Sequence, residues 1–346
     1  MMGDAAPGAG LPSPEEILHT HTLTLRFIPG GKKHLRAWCD ALITHLTTYT
    51  TNPTTHNLSR LLMFPKVTLF PRRAAPGTLT GKDPIDTVSA RLENLATDAG
   101  WLAMWERAKA HPAGKQEFAR DPDVRTAVLR AVRLGSYARA TRLLEKRAEV
   151  ALDAVVAAEG LAQLHPKREE DWPGVYASAE HLPPCTIAAV TADEVAAAIR
   201  SFDPLTAAGP SGLKASHLQA CMGLGGTFAA RLLEALQRWV FENASASLPS
   251  QHFPLLGAAH LVAIGKPAGG VRPIAVGETL RRLVSKVLAR QTLEKMRSRL
   301  LPIQRGVGLQ NGTSYTAVEA VERLRSACAE AGGPPKYLLM LDMANA

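Results

Sequence analysis

The chain has 346 residues, 46% hydrophobic and 21% charged, enough for about two domains and too apolar for wholesale disorder. No run reaches the roughly 18 to 20 apolar residues of a membrane-spanning helix, which excludes a helical integral membrane protein. Forty Lys and Arg against 31 Asp and Glu leave a formal charge of +9, whose meaning depends on where it sits.

The N-terminal stretch MMGDAAPGAGLPSPEE has neither the basic start nor the apolar core of a secretory signal. Residues 1–20, rich in Gly, Pro and Ala, are expected to be a disordered leader. A helical N-terminal region is expected over 21–164. It opens with a helix over His34–Tyr49 and the apolar run Leu58–Phe70, broken at Pro65. Residues 72–84 read as an exposed loop. From Ile85 to Leu164 the spacing is helical, punctuated at Gly100, His111-Pro112, Gly135 and Gly160. Trp101 and Trp105, four apart on this pattern, are expected in the core.

Residues 165–185, Pro-rich and charged, are the expected linker, and 186–346 the second domain. Thr191-Ala-Asp-Glu194 is a capping box opening a short helix. Ala208-Gly-Pro-Ser-Gly-Leu213 must be a turn, and 215–243 an amphipathic helical stretch interrupted around Gly223–Gly226. Ala258–Ile264 and Val271–Val276 read as strands joined by Lys266-Pro-Ala-Gly-Gly270 into a hairpin. Leu280, Leu283, Val284, Val287 and Leu288 follow at helical spacing, with Arg281, Arg282, Lys286 and Arg290 on the other side. A helix over Val318–Ala329 and an apolar terminal strand, Leu338–Met343, complete a mainly α fold with a small β component (α+β).

The charge is concentrated. Residues 266–305 hold ten basic side chains against Glu278 and Glu294, a local excess of eight. Guanidinium groups pair bidentately with phosphate oxygens, so such a stretch suits a nucleic acid or nucleotide; a solvated helix face is the alternative. Asp342 stands inside an apolar run, where a carboxylate needs a metal, an Arg, backbone donors or a capping role. The cysteines Cys39, Cys185, Cys221 and Cys328 form no C-x-x-C pair, and the histidines show no metal-ligand spacing. Free thiols in a reducing, intracellular compartment are expected.

The order AAGPSGL (207–213), GAAHLVAIGKP (257–267), GGVRPIAVGETLRRLVSK (269–286), PIQRGVG (302–308), NGTSYTAVEAV (311–321) and LLMLDMANA (338–346) resembles reverse transcriptases of the non-LTR retrotransposon type. The resemblance implies the fingers and first palm strand of a right-hand polymerase fold, preceded by a helical domain. It also implies RNA-directed DNA synthesis with magnesium, an RNA template, a DNA primer and an incoming deoxynucleoside triphosphate, and a nuclear location. Asp342 then resembles the first catalytic, metal-ligating aspartate. Lys266 and Arg272 resemble residues meeting the triphosphate. Arg281, Arg282, Lys286 and Gln304 resemble the stretch lying along template and primer.

The family's Y-A-D-D strand, with its further metal-binding carboxylates, does not follow Asp342 here. An inactive fragment is therefore the expectation, and a primer-extension assay with magnesium should show no nucleotide incorporation by this chain. The rival reading is a non-catalytic helical binding module, with residues 30–165 its functional part.

Overall fold

The computed structural model describes residues 10–71, 87–111, 124–133, 140–141, 143, 154–164, 189–203, 205–265, 270–301, 304–306 and 312–329. They are mostly helical, with one two-stranded antiparallel sheet. Two compact units are distinguished, Met1–Val287 and Leu288–Ala346.

The first described helix is α1 (Pro14–His19), which corrects the expected disordered leader over residues 10–20, while residues 1–9 of that expectation lie outside the described residues. Ser13 caps it by accepting from the Glu16 N–H at 3.2 Å, Pro14 sits at the first helical position, and Glu15 and Glu16 face the positive end of the dipole. Ile17 is fully buried, and the backbone just before the helix is tied in where Pro12 O accepts from Ser59 Oγ.

Helix α2 (Gly31–Thr51) buries Trp38, Cys39, Leu42, Ile43, Leu46 and Tyr49 along one face. Helix α3 (Thr55–Thr68) passes unbroken through Pro65, contrary to the expected break. Proline removes one N–H and crowds the preceding turn, a cost of about 3 kcal/mol in an isolated helix. Here Leu62, Met63, Phe64 and Val67 are all buried, so packing outweighs it. Two shorter helices follow, α4 (Val88–Asn94) and α5 (Asp98–Lys109), the latter burying Trp101 and Trp105 as expected. Gly100 lies within the first turn of α5 and does not interrupt it.

Next come α6 (Val124–Arg133) and α7 (Ala154–Leu164). Gly160 is part of α7 as well: a Cβ there would sit 2.6 Å from Val271 Cγ2, so its absence lets the helix lie on the hairpin. The capping box at Thr191 forms as expected and opens α8 (Ala192–Arg200). Then α9 (Ala215–Met222) and α10 (Gly226–Ala244) flank the Gly223–Gly225 break. A 3-10 turn over Ser250–His252 leads into α11 (Phe253–Leu256).

The hairpin forms as expected. Strand β1 (Ala259–Gly265) pairs antiparallel with β2 (Val271–Gly277), setting Val262 opposite Ile274 and Ile264 opposite Arg272. Helix α12 (Thr279–Leu300) begins two residues later and continues past Val287 into the second unit, which also holds α13 (Gly312–Ala329).

Among the described residues, one hydrophobic core serves the first unit. It joins Trp38, Leu46 and Trp101 to Val195, Leu218, Leu236, Trp239, Leu283 and Val287. The expected boundary between 21–164 and 186–346 is therefore not a boundary between cores: α10 packs directly on α2, bringing both parts into one interior. The expected linker 165–185, the loop 72–84 and the terminal strand 338–343 lie outside the described residues. Among the described residues, no helix is long and apolar enough to cross a membrane.

Candidate nucleic-acid interface

The turn before α9 and the start of α12 are built as one piece. Glu278, 3% exposed, accepts from the Ser211 backbone N–H through Oε1 and from Ser211 Oγ through Oε2 at 2.7 Å. Thr279 Oγ1 donates to Leu213 O at 2.6 Å, and Thr24 Oγ1 to Gly212 O at 2.9 Å. Gly209 has to be glycine, since a Cβ would lie 2.6 Å from Glu278 Cα. Burial raises the Glu278 carboxyl above its ordinary value, while Ser211, Lys66 and Arg282 pull it back. Lys66, 1% exposed, donates to Thr20 O at 2.6 Å and to Ile17 O; burial lowers its ammonium to about 8.

This assembly fixes the first turns of α12 and with them the cationic residues. Arg281 is exposed; its Nη1 donates to Gly257 O at 2.8 Å, and it lines a groove of about 740 Å³ with Asn243, Ser250 and Ser285. Arg282 turns inward. Its Nη2 donates to Ala207 O at 2.8 Å and Thr279 Oγ1 at 3.0 Å, and its guanidinium stands 5.9 Å from the Phe202 ring centre. Lys286 reaches the same ring at 4.7 Å and donates to Ser201 Oγ at 3.1 Å. These two cations thus clamp the end of α8 against α12, a structural task the expected template contact leaves out.

Arg272 is exposed on β2, on the sheet face that carries Val262, Ile264 and Ile274, three aliphatic side chains also open to solvent. Lys266 and Asp342 lie outside the described residues. In the second unit Gln304 is exposed, its Oε1 accepting from the Gly306 N–H at 2.9 Å. Arg305 is drawn to Glu319, which also pairs with Arg323 at 2.5 Å. Along α12 in that unit Arg290, Lys295, Arg297 and Arg299 are all exposed. Four exposed cations thus lie within ten residues of one helix.

Of the expected site residues, Arg281, Arg282 and Lys286 share the first turns of α12, while Arg272 stands on the adjoining strand. Glu278, which entered the charge count only as an opposing carboxylate, organises the turn. Phe202 had no sequence signal at all. A carboxylate just ahead of a helix was the one hint for Glu278, but nothing in the sequence ties it to Ser211, 67 positions away. Among the described residues no group of three or more His, Cys, Asp or Glu is placed to hold a metal ion. No protein-family model matches the chain, and neither do curated proteins or solved structures.

Proposed function

We propose that this chain is part of a reverse transcriptase of the non-LTR retrotransposon type, with residues 186–346 taking the part of the fingers and first palm strand. The observation that carries the reading is the hairpin Ala259–Gly277 running directly into the cationic helix Thr279–Leu300. That is the order the resembling motifs require, with Arg272 open on the strand. Its task in this reading is to hold RNA template, DNA primer and the triphosphate of a deoxynucleotide by neutralising phosphate charge. Magnesium belongs to the reading through Asp342 alone; when bound, such an ion activates the attacking hydroxyl and stabilises the leaving phosphate.

Arg290, Lys295, Arg297 and Arg299 are free of the packing duties that hold Arg282 and Lys286, so they supply the cleanest test. Replacing all four with Gln should lower the slope of log K against log salt by about 3, at roughly 0.7 to 0.9 per phosphate contact. Fluorescence anisotropy with an RNA–DNA hybrid measures it. An unchanged slope would sink the proposal. The Arg282→Gln, Lys286→Gln pair should mainly lower stability. The rival helical module draws less support, because α2 and α3 share their core with α9 and α10.

A further inference from the structure

The segment between α1 and α2, the turn before α9 and the start of β1 form a polar cavity of about 190 Å³. His21, Thr22, Thr24, Gly209, Lys214 and His260 line it, and none of the described residues around it is acidic. Its walls are fixed. Thr24 Oγ1 donates to Gly212 O, a Cβ on Gly212 would lie 2.5 Å from Thr24 Cγ2, and the Glu278 clamp holds the rest of the turn. The donors around the cavity are not all used. Thr22 is 8% exposed, and its Oγ1 is buried without a hydrogen-bond partner among the described residues. The Lys214 ammonium gives one proton to Thr24 O at 2.5 Å and pairs with no carboxylate among the described residues. The His21 and His260 rings lie with centres 4.4 Å apart and planes tilted by 36°.

We propose that this cavity is a binding site for free inorganic phosphate, separate from the cationic run of α12. A phosphate dianion gives Lys214 its counter-charge and accepts from Thr22 Oγ1 and from an N–H of each imidazole. One ligand thereby satisfies a buried hydroxyl and a half-buried ammonium that are costly to leave without partners. His260, lowered to about 4 by burial, His21 and Lys66, is a neutral N–H donor at pH 7, whereas Lys214, lowered to about 8 by burial and Arg26, stays mostly charged. Size narrows the ligand class. Sites for drug-sized molecules hold roughly 300 to 1,000 Å³, so about 190 Å³ suits a phosphate group and is small for a whole nucleotide. A phosphodiester of a nucleic-acid backbone fits less well, because it carries one negative charge and two substituents that the cavity must let pass.

Equilibrium dialysis of the full chain against radiolabelled inorganic phosphate, at pH 7 and constant ionic strength, tests the site. One phosphate should be retained per chain. Lys214→Gln should weaken retention at least about tenfold, the equivalent of one charged hydrogen bond, and Thr22→Val by roughly threefold or more. His21→Ala removes an exposed ring and should also weaken binding; it keeps the test open where a substitution of the more buried Lys214 or Thr22 prevents folding. Arg238→Gln, which removes a cation that does not line the cavity, should change nothing. The proposal is overturned if no phosphate is retained at about 1 mM, or if the folded cavity variants bind as wild type does. It is equally overturned if an RNA oligonucleotide without terminal phosphates displaces the label, which would make this a backbone contact. Neither result bears on the salt dependence assigned to α12.

Discussion

Bringing the protein from pH 7 to pH 5 is expected to cost about 2 kcal/mol of unfolding free energy through His217 alone. This ring is fully buried; its Nδ1 accepts from the Lys214 N–H at 3.2 Å while its Nε2–H donates to Leu25 O. That arrangement requires the neutral tautomer, because protonation would set a donor against the Lys214 donor. Burial accordingly lowers its pKa from 6.5 to about 4, with Lys214 and Arg26 adding to the effect. Between those values the unfolded chain binds more protons than the folded one. Stability is therefore complete above pH 6.5 and lost as pH falls toward 4. His45 and His260, likewise lowered to about 4 but only half-buried, add smaller losses. Glu278, raised by burial, works in the opposite direction. Comparison with His217→Gln isolates the one ring: urea unfolding at both pH values should show the variant losing about 2 kcal/mol less than wild type. Equal losses would contradict the assignment.

Removing the Glu278 side chain should be more costly still. Glu278→Ala leaves the Ser211 N–H without an acceptor, unpairs Ser211 Oγ, and strips Lys66 and Arg282 of the carboxylate that offsets their burial. The expected loss is about 3 kcal/mol, measured as a fall in the urea midpoint at constant slope. Glu278→Gln keeps one acceptor for the Ser211 N–H, and the hydroxyl can rotate to meet the amide, so it should cost clearly less. A Glu278→Ala protein as stable as wild type would mean that the 208–213 turn is held by other contacts.

Legibility in the sequence followed the range of the interactions. The capping box at Thr191 was readable because both partners lie within four residues and satisfy each other's backbone groups. The hairpin was readable from two apolar runs of matching length across a Gly-Gly turn. The helix at 14–19 was equally local: Ser13, Pro14, Glu15 and Glu16 are a start signal, outvoted by the Gly- and Ala-rich residues before it. Pro65 misled for the opposite reason. Its intrinsic cost is local, whereas the burial that overrides it comes from neighbours far along the chain.

The cations divide in the same way. Residues 266–305 carry their excess of positive charge whatever the fold, and the helical spacing after Thr279 places part of it on one side of a helix. Which of those charges remain open to a phosphate was decided by tertiary structure. Phe202 and Ala207 take up Arg282, and Ser201 and Phe202 take up Lys286, while Arg290, Lys295, Arg297 and Arg299 stay exposed. Composition, helical periodicity and turn chemistry act over a few residues, so the sequence by itself determined a mainly helical, strongly basic chain with one hairpin. The shared core and the Glu278–Ser211 clamp join residues many tens of positions apart. Their energy is gained only when α2 meets α9 and α10 and when the start of α12 meets the turn before α9, and no local pattern encodes those meetings.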